Sequence, residues 1–182
     1  MSLVIIFGPP AVGKATVGRV LAEQTGYKLL HNHMTVDLVG GIFDFGTDAF
    51  RTLVVEFRQR VVEETAREGV GLILTMAWSL DDDEDAAMVA DYDEAAAAFG
   101  RAVYLVELAA PFALRKERNR LPDRLANKRL VPDDGLFAEI DEQHRLNSKP
   151  GEFSTRDHVL IDTETLSPEQ AATRIVASFG LP

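Results

Sequence analysis

The chain has 182 residues, a formal net charge of −10 and no cysteine. That length suits one domain with a sizeable core. The acidic balance argues against a polynucleotide as main partner, and the missing thiols exclude a disulfide framework or a thiolate metal site. No apolar run reaches the ~18 residues of a membrane helix. The chain enters its first apolar stretch with no basic region or cleavage pattern before it, so neither a membrane span nor a signal peptide is expected.

Leu3-Val4-Ile5-Ile6-Phe7 is apolar throughout, as a strand covered on both faces is. Gly8-Pro9-Pro10-Ala11-Val12-Gly13-Lys14-Ala15-Thr16 follows, then Val17, Val20 and Leu21 at the spacing of one helix face. A strand, a loop of the pattern G-x-x-x-x-G-K and a helix, in that order, read as a P-loop. The backbone from Gly8 through Ala11, Val12, Gly13, Lys14, Ala15 and Thr16 is expected to turn its N–H groups onto the phosphates of a nucleotide, helped by the partial positive charge of the helix start. Gly8 and Gly13 let the chain approach the ligand closely, and Lys14 brings a full charge to the outer phosphates. The residue after Lys14 is Ala15, where many P-loops carry the hydroxyl that ligates Mg²⁺.

The first helix is predicted from about Gly13 to Gln24, with Gly26 as its stop. Tyr27 to Leu30 reads as strand two, and its end carries His31, Asn32, His33 and Asp37. His31 and His33 alternate, so on an extended strand end they face the same way. Either could bond an acceptor or take a proton near neutral pH, and with Asp37 they also have the makings of a metal site. Gly40-Gly41 breaks the pattern, and residues 42–46 form an aromatic, glycine-bounded loop. Phe50, Leu53, Val54, Phe57 and Val61 predict the inner face of a helix capped by Thr47 or Asp48 and ended by Gly69. Leu72 to Met76 is strand three. It runs into Ala77-Trp78 with no acidic residue to hold Mg²⁺, and Trp78 with Phe43 and Phe45 is a candidate apolar wall for an acceptor. The acidic block Asp81 to Asp85 opens a helix with the face Met88, Val89, Tyr92, Ala96 and Phe99, where carboxylates favour the macrodipole.

Val103 to Leu108 is strand four, and Pro111 suits the start of a short helix. Arg115, Lys116, Arg118, Arg120, Arg124, Lys128 and Arg129 follow, seven of the chain's 19 Lys and Arg. A basic segment in an acidic chain points to a local anion site, and guanidinium groups hold two phosphate oxygens at once. Pro122 and Pro132 bracket a stretch that cannot be one clean helix, so it reads as a flap closing over a nucleotide. Asp133 or Asp134 starts a helix with Leu136, Phe137 and Ile140 inward. Val159 to Ile161 is strand five, and Ser167-Pro168-Glu169-Gln170 is a capping box whose helix buries Ala172, Ile175, Val176 and Phe179. Five apolar strands alternating with helices predict a three-layer α/β fold on a parallel sheet, with ligands beyond the carboxyl ends of the strands.

On these motifs the chain resembles the shikimate, gluconate and nucleoside-monophosphate kinases. The shared order is a P-loop whose Lys is followed by a small residue and Thr, an acceptor region, an arginine-rich lid, and strand five with Asp162-Thr163-x-x-Leu166-Ser167-Pro168-Glu169. The resemblance covers nearly the whole chain. It implies one domain over residues 1–182, a P-loop fold with strand order 2-3-1-4-5, and a lid over about residues 115–132. It implies ATP and Mg²⁺ as cofactors, with the ion held mostly by phosphates and water and Thr16 as a weak Mg²⁺ ligand or phosphate contact. Arg115, Arg118 and Arg120 would contact phosphates, with Arg118 and Arg120 favoured and Arg124 a further candidate, and residues 162–166 would sit by the adenine. The shikimate kinases' glycine-rich turn after strand three is missing. The acceptor segment is similar to that of the chloramphenicol phosphotransferases: His33 to Asp37 has their His-x-x-x-Asp spacing. That implies Asp37 as catalytic base or orienting carboxylate, with His31, His33 and Trp78 toward the acceptor. The implied activity is ATP-dependent transfer of the γ-phosphate to a hydroxyl of a small molecule, in the cytoplasm, with no nucleic-acid or membrane partner. A nucleotide-binding module that transfers nothing, an antibiotic-modifying phosphotransferase and a polynucleotide end kinase are the rival readings. The acceptor's identity and the oligomeric state are not written in the residues.

Overall fold

Parallel strands need crossovers, and helices in those crossovers must cover both faces of the sheet. The computed structural model describes residues 1–121 and 131–182. β1 (Leu3–Phe7) leads to α1 (Lys14–Thr25), and β2 (Lys28–Leu30) leads to α2 (Asn32–Val39) and α3 (Asp48–Glu68). β3 (Leu72–Thr75) leads to α4 (Asp83–Ala97), β4 (Val103–Ala109) to α5 (Phe112–Asn119) and α6 (Asp134–Gln143), and β5 (His158–Asp162) to α7 (Pro168–Phe179). The sheet order is β2-β3-β1-β4-β5, as expected, and every pairing is parallel.

β1 is the central strand and all five of its residues are buried. Its side chains alternate between two cores. Val4 and Ile6 pack with Val17 and Leu21 of α1 and with Ala171, Ala172 and Ile175 of α7. Leu3, Ile5 and Phe7 pack with Val62 of α3 and with Val89 and Tyr92 of α4. A third, small cluster joins Val36 and Val39 of α2 to Phe50 and Val54 of α3. Side chains start the helices of both layers: Thr47 caps α3, Asp82 caps α4, Asp133 caps α6, and Ser167 with Gln170 forms the capping box of α7.

Three stretches differ from expectation. Residues 31–37 do not prolong strand two. β2 pairs over only Lys28–Leu30 at the sheet edge, and beyond it the Asn32 N–H turns to Thr75 Oγ1 (3.0 Å) and the chain winds into α2. His31 is the residue before that helix, so it does not share a strand face with His33. On α3 the buried stripe is Phe50, Val54, Arg58, Val62 and Ala66, while Leu53 and Phe57 point outward. A count of apolar residues could not see an arginine in the stripe. On α6 only Phe137 is buried; Leu136 is exposed, as is Phe99 just beyond α4.

One buried carboxylate ties the sheet to the segment after α6. Glu107 on β4 is 1% exposed. It accepts from Asn147 Nδ2 (2.8 Å), Ser148 N (2.8 Å) and Ser148 Oγ (2.6 Å), and lies 2.9 Å from His158 Nε2. Burial pushes its pKa up, but the bonds from His158, Ser148 and Asn147 outweigh that and bring it from 4.5 to about 2. A carboxylate with a depressed folded pKa stabilises fully above its unfolded value and loses that contribution as pH falls. The protein is therefore expected to lose stability as pH drops from 4.5 toward about 2, and Glu107→Gln is expected to flatten that part of the profile. At neutral pH the variant should be less stable by about 2–3 kcal/mol, since bonds to a buried charge are weakened; chemical denaturation across pH measures both.

Candidate nucleotide and acceptor site

The loop after β1 is shaped by backbone positions that few side chains tolerate. Gly8 (φ 131°), Ala11 (φ 61°) and Gly13 (φ 105°) all have positive φ, and Ala11 is the one non-glycine residue to do so among the described residues. A Cβ on Gly8 would lie 2.3 Å from Leu108 O, so only glycine lets the loop rest against the end of β4. Gly13 precedes α1 and offers it no side-chain cap, and α1 has no acidic residue in its first turn. The first helical bond to that cap runs from Val17 N to Gly13 O (2.9 Å). The positive end of the α1 dipole therefore faces the loop without the side-chain oxygen that caps α3, α4, α6 and α7, which is the arrangement an anion needs. Lys14 Nζ arches over the loop and donates to Gly8 O (2.5 Å) and Pro9 O (2.8 Å). Ala15 has no side-chain oxygen, and Thr16 is exposed on the first turn. Among the described residues no group of three His, Cys, Asp or Glu is placed to hold a metal.

Thr163, buried just after β5, locks the loop in place. Its Oγ1 donates to Val12 O (2.9 Å), and its N–H donates to Ala109 O (2.9 Å). Arg118 on α5 donates to Thr163 Oγ1 (3.0 Å) and to Thr163 O (2.7 Å). P-loop, end of β4, α5 and the β5–α7 turn thus meet on one side chain. The resemblance placed residues 162–166 by the adenine and singled out no side chain among them.

The basic segment divides. Arg115 is 5% exposed. It donates to Ala110 O (3.1 Å) and Asp141 Oδ1 (2.6 Å), with its guanidinium carbon 5.5 Å from the Phe112 ring and 5.8 Å from the Phe137 ring. It fastens α5 to α6, and this placement does not fit the expectation that it reaches a phosphate. Arg120 is exposed and pairs with Asp134, which also lies 3.6 Å from Lys116 Nζ. Arg124, Lys128 and Arg129, expected in the lid, lie outside the described residues.

The segment expected to meet an acceptor is a helix, and that changes its geometry. His33 and Asp37 stand on successive turns of α2, with Nδ1 and Oδ1 3.9 Å apart. α2 is held by Arg58, which sequence reasoning missed. Arg58 Nε donates to Thr35 Oγ1 (2.9 Å), and its NH2 donates to Thr35 Oγ1 (2.7 Å) and Asn32 Oδ1 (2.7 Å). Burial pulls its pKa down, while Tyr92 and Asp85 act the other way. The signal was its place four residues after Val54 in the stripe that Phe50 begins. Trp78 is not a wall for an acceptor beside Phe43 and Phe45. It is buried against Phe7 (ring centroids 4.8 Å apart) and Phe153 (5.6 Å). Phe45 is exposed and touches Phe50 instead, at 5.1 Å.

A family model described as an AAA domain matches residues 3–145. The chain belongs to this P-loop family. No curated protein matches it in a sequence search. Solved structures with the same fold include a sugar kinase from Janibacter sp. HTCC2649, at 16% identity over 100% of this chain and 95% of that one, TM-score 0.67. Shikimate kinase from Acinetobacter baumannii, solved with shikimate, is 19% identical over 98% of this chain and 93% of its own, TM-score 0.64. The APS kinase of Mycobacterium tuberculosis, solved with AMPPNP and APS, is 16% identical over 98% and 97%, TM-score 0.65. At such identities the family member shares their fold, and its own residues must carry the chemistry. No described helix is long and apolar enough to cross a membrane.

Two sets of variants test the loop. Gly13→Ala has open space at its Cβ, so it should cost only the left-handed penalty of about 1–2 kcal/mol. Gly8→Ala must also displace the Leu108 carbonyl, so it should lower the melting temperature further and abolish the thermal shift given by ADP. Thr163→Val keeps the shape but removes the bond to Val12 O, and should lower stability by about 1–2 kcal/mol and weaken ADP binding about tenfold, read by calorimetry.

Proposed function

We propose that this chain is an ATP-dependent phosphotransferase that moves the γ-phosphate onto a hydroxyl of a small molecule. The observation that carries the reading is the P-loop: a glycine-cradled loop against a helix start without a side-chain cap, with Lys14 across it. Parallel topology puts α2, the Thr163 turn and the start of α5 at the same edge of the sheet as that loop.

ATP supplies the phosphoryl group, and this chain's residues position and neutralise it. The amides at the start of α1 and the Lys14 ammonium hold the phosphate oxygens, exchanging loop carbonyls for the stronger anionic acceptors. Thr163 and Arg118 support the nucleotide side of the loop. Arg120 is held only by an exposed pair with Asp134, an interaction weak enough for a phosphate to displace. Mg²⁺ suits a site of this kind when it is carried by the phosphates and water, because Ala15 provides no ligand and Thr16 is the one hydroxyl on the first turn of α1. Asp37 orients the acceptor hydroxyl and accepts its proton as the oxygen bonds to phosphorus, and His33 on the preceding turn steadies the carboxylate.

Lys14→Ala is expected to abolish ATP turnover. Asp37→Asn should lower transfer by about 10²-fold or more while ATP still binds. Coupled ADP-release assays and calorimetry on both variants separate the two roles. Normal transfer by Asp37→Asn would remove Asp37 from the reaction, and ATP binding with no phosphorylated product from any hydroxyl compound would leave a binding module instead.

A further inference from the structure

Resting on the phosphotransferase reading, we propose that the acceptor is an amphipathic alcohol, neutral or cationic: a hydroxyl on an apolar scaffold, not a polyol or a hydroxy acid. The argument begins on α2. His33 and Asp37 lie one turn apart, and Met34 and Leu38 follow each of them by one residue, so the polar pair is edged by an apolar pair on the neighbouring line of the helix. The chain then turns back on the end of α2, where the Ile42 and Phe43 N–H groups both donate to Val39 O (2.9 and 3.0 Å). Phe45 comes next, resting on Phe50. Met34, Leu38, Ile42 and Phe45 are 48%, 59%, 79% and 67% exposed. α2 and α3 close their own contact through Val36, Val39, Phe50 and Val54, and these four exposed side chains stand outside that buried cluster. An apolar patch of this kind beside a candidate base marks a surface that takes a ligand.

Charge narrows the ligand further. Asp37, Asp44, Asp48 and Glu56 are the acidic side chains of residues 31–57, and Arg51 is the segment's one Lys or Arg. Arg51 donates to Asp48 (2.6 Å). The next cation along, Arg58, is buried and turned to Asn32 and Thr35. Along the chain Asp37 stands beside Leu38 and Asp44 beside Phe45, and the segment's one Lys or Arg is turned to Asp48, so this stretch disfavours a carboxylate substrate. A polyol fares no better, since apolar side chains leave its hydroxyls without partners once water is expelled. A scaffold with apolar bulk and at most positive charge matches both features.

The test compares three sets of acceptors by ADP release and by mass spectrometry of the product. Phenylethane-1,2-diol and phenylalaninol represent amphipathic alcohols, glycerol and xylitol represent polyols, and shikimate and gluconate represent hydroxy acids. Transfer is expected in the first set alone. Leu38→Glu and Phe45→Glu, both changes at exposed positions, should raise the KM for that acceptor about tenfold or more while moving the KM for ATP less than twofold. Transfer to a polyol or hydroxy acid, or an unchanged acceptor KM in both variants, would overturn this inference and leave the phosphotransferase reading standing. Nucleotide binding with transfer to none of the six would likewise overturn this inference, whereas the phosphotransferase reading falls only when no hydroxyl compound is phosphorylated. Sedimentation showing a dimer that the two variants dissolve would assign the face to a second copy of the chain and overturn the inference as well.

Discussion

A missing Cβ sets the position of the whole nucleotide loop. Gly8 lies so close to the Leu108 carbonyl that any side chain would have to displace the end of β4. That contact holds the P-loop against the neighbouring strand, and it aims the start of α1 into the cup that the loop forms. The helix start then behaves as a fixed partial charge, because Gly13 gives it no side-chain oxygen and its first turn carries no carboxylate. The same chain caps α3, α4, α6 and α7 with side chains. α2 and α5 also start without a side-chain cap, and what makes the start of α1 suited to an anion is the glycine loop and Lys14 that face it.

Around that loop, buried polar side chains do the joining that an apolar core cannot do. Strand ends in a parallel sheet leave carbonyls and loops of different lengths at one edge, and each must be held in register. Thr163 joins Val12 to the turn after β5 and to Arg118. Glu107 joins β4 to Asn147 and Ser148, and Asn147 reaches on to Leu108 O (3.1 Å), the same carbonyl that abuts Gly8. Arg58 joins α3 to the first turn of α2 and so orients the helix that carries His33 and Asp37. Each of these groups is buried and hydrogen-bonded, so each fixes a direction as well as contributing energy. The P-loop and α2 are thereby built on separate anchors.

The α2 side of the candidate site was only partly legible in the residues. His33 and Asp37 were singled out by their spacing, and a helix makes that spacing meaningful in a way the expected strand end would not. Trp78 and Arg115 were selected by residue type, and both are buried where their bulk or charge serves packing. Aromatic rings and arginines are ambiguous for that reason: the same side chain suits a pocket wall or a core, a phosphate or the half-buried Asp141.

By itself, the sequence determined the strands, the P-loop, the helix ends and the three-layer α/β class. Those features are local: five apolar residues in a row, a glycine spacing and capping residues act over a turn or two of chain. Tertiary structure alone decided that residues 31–37 coil, that Arg58 faces inward, that Thr163 is a junction and that Glu107 carries its charge inside the protein. Each of those outcomes depends on partners between 23 and 151 residues away along the chain, and no spacing rule reaches that far.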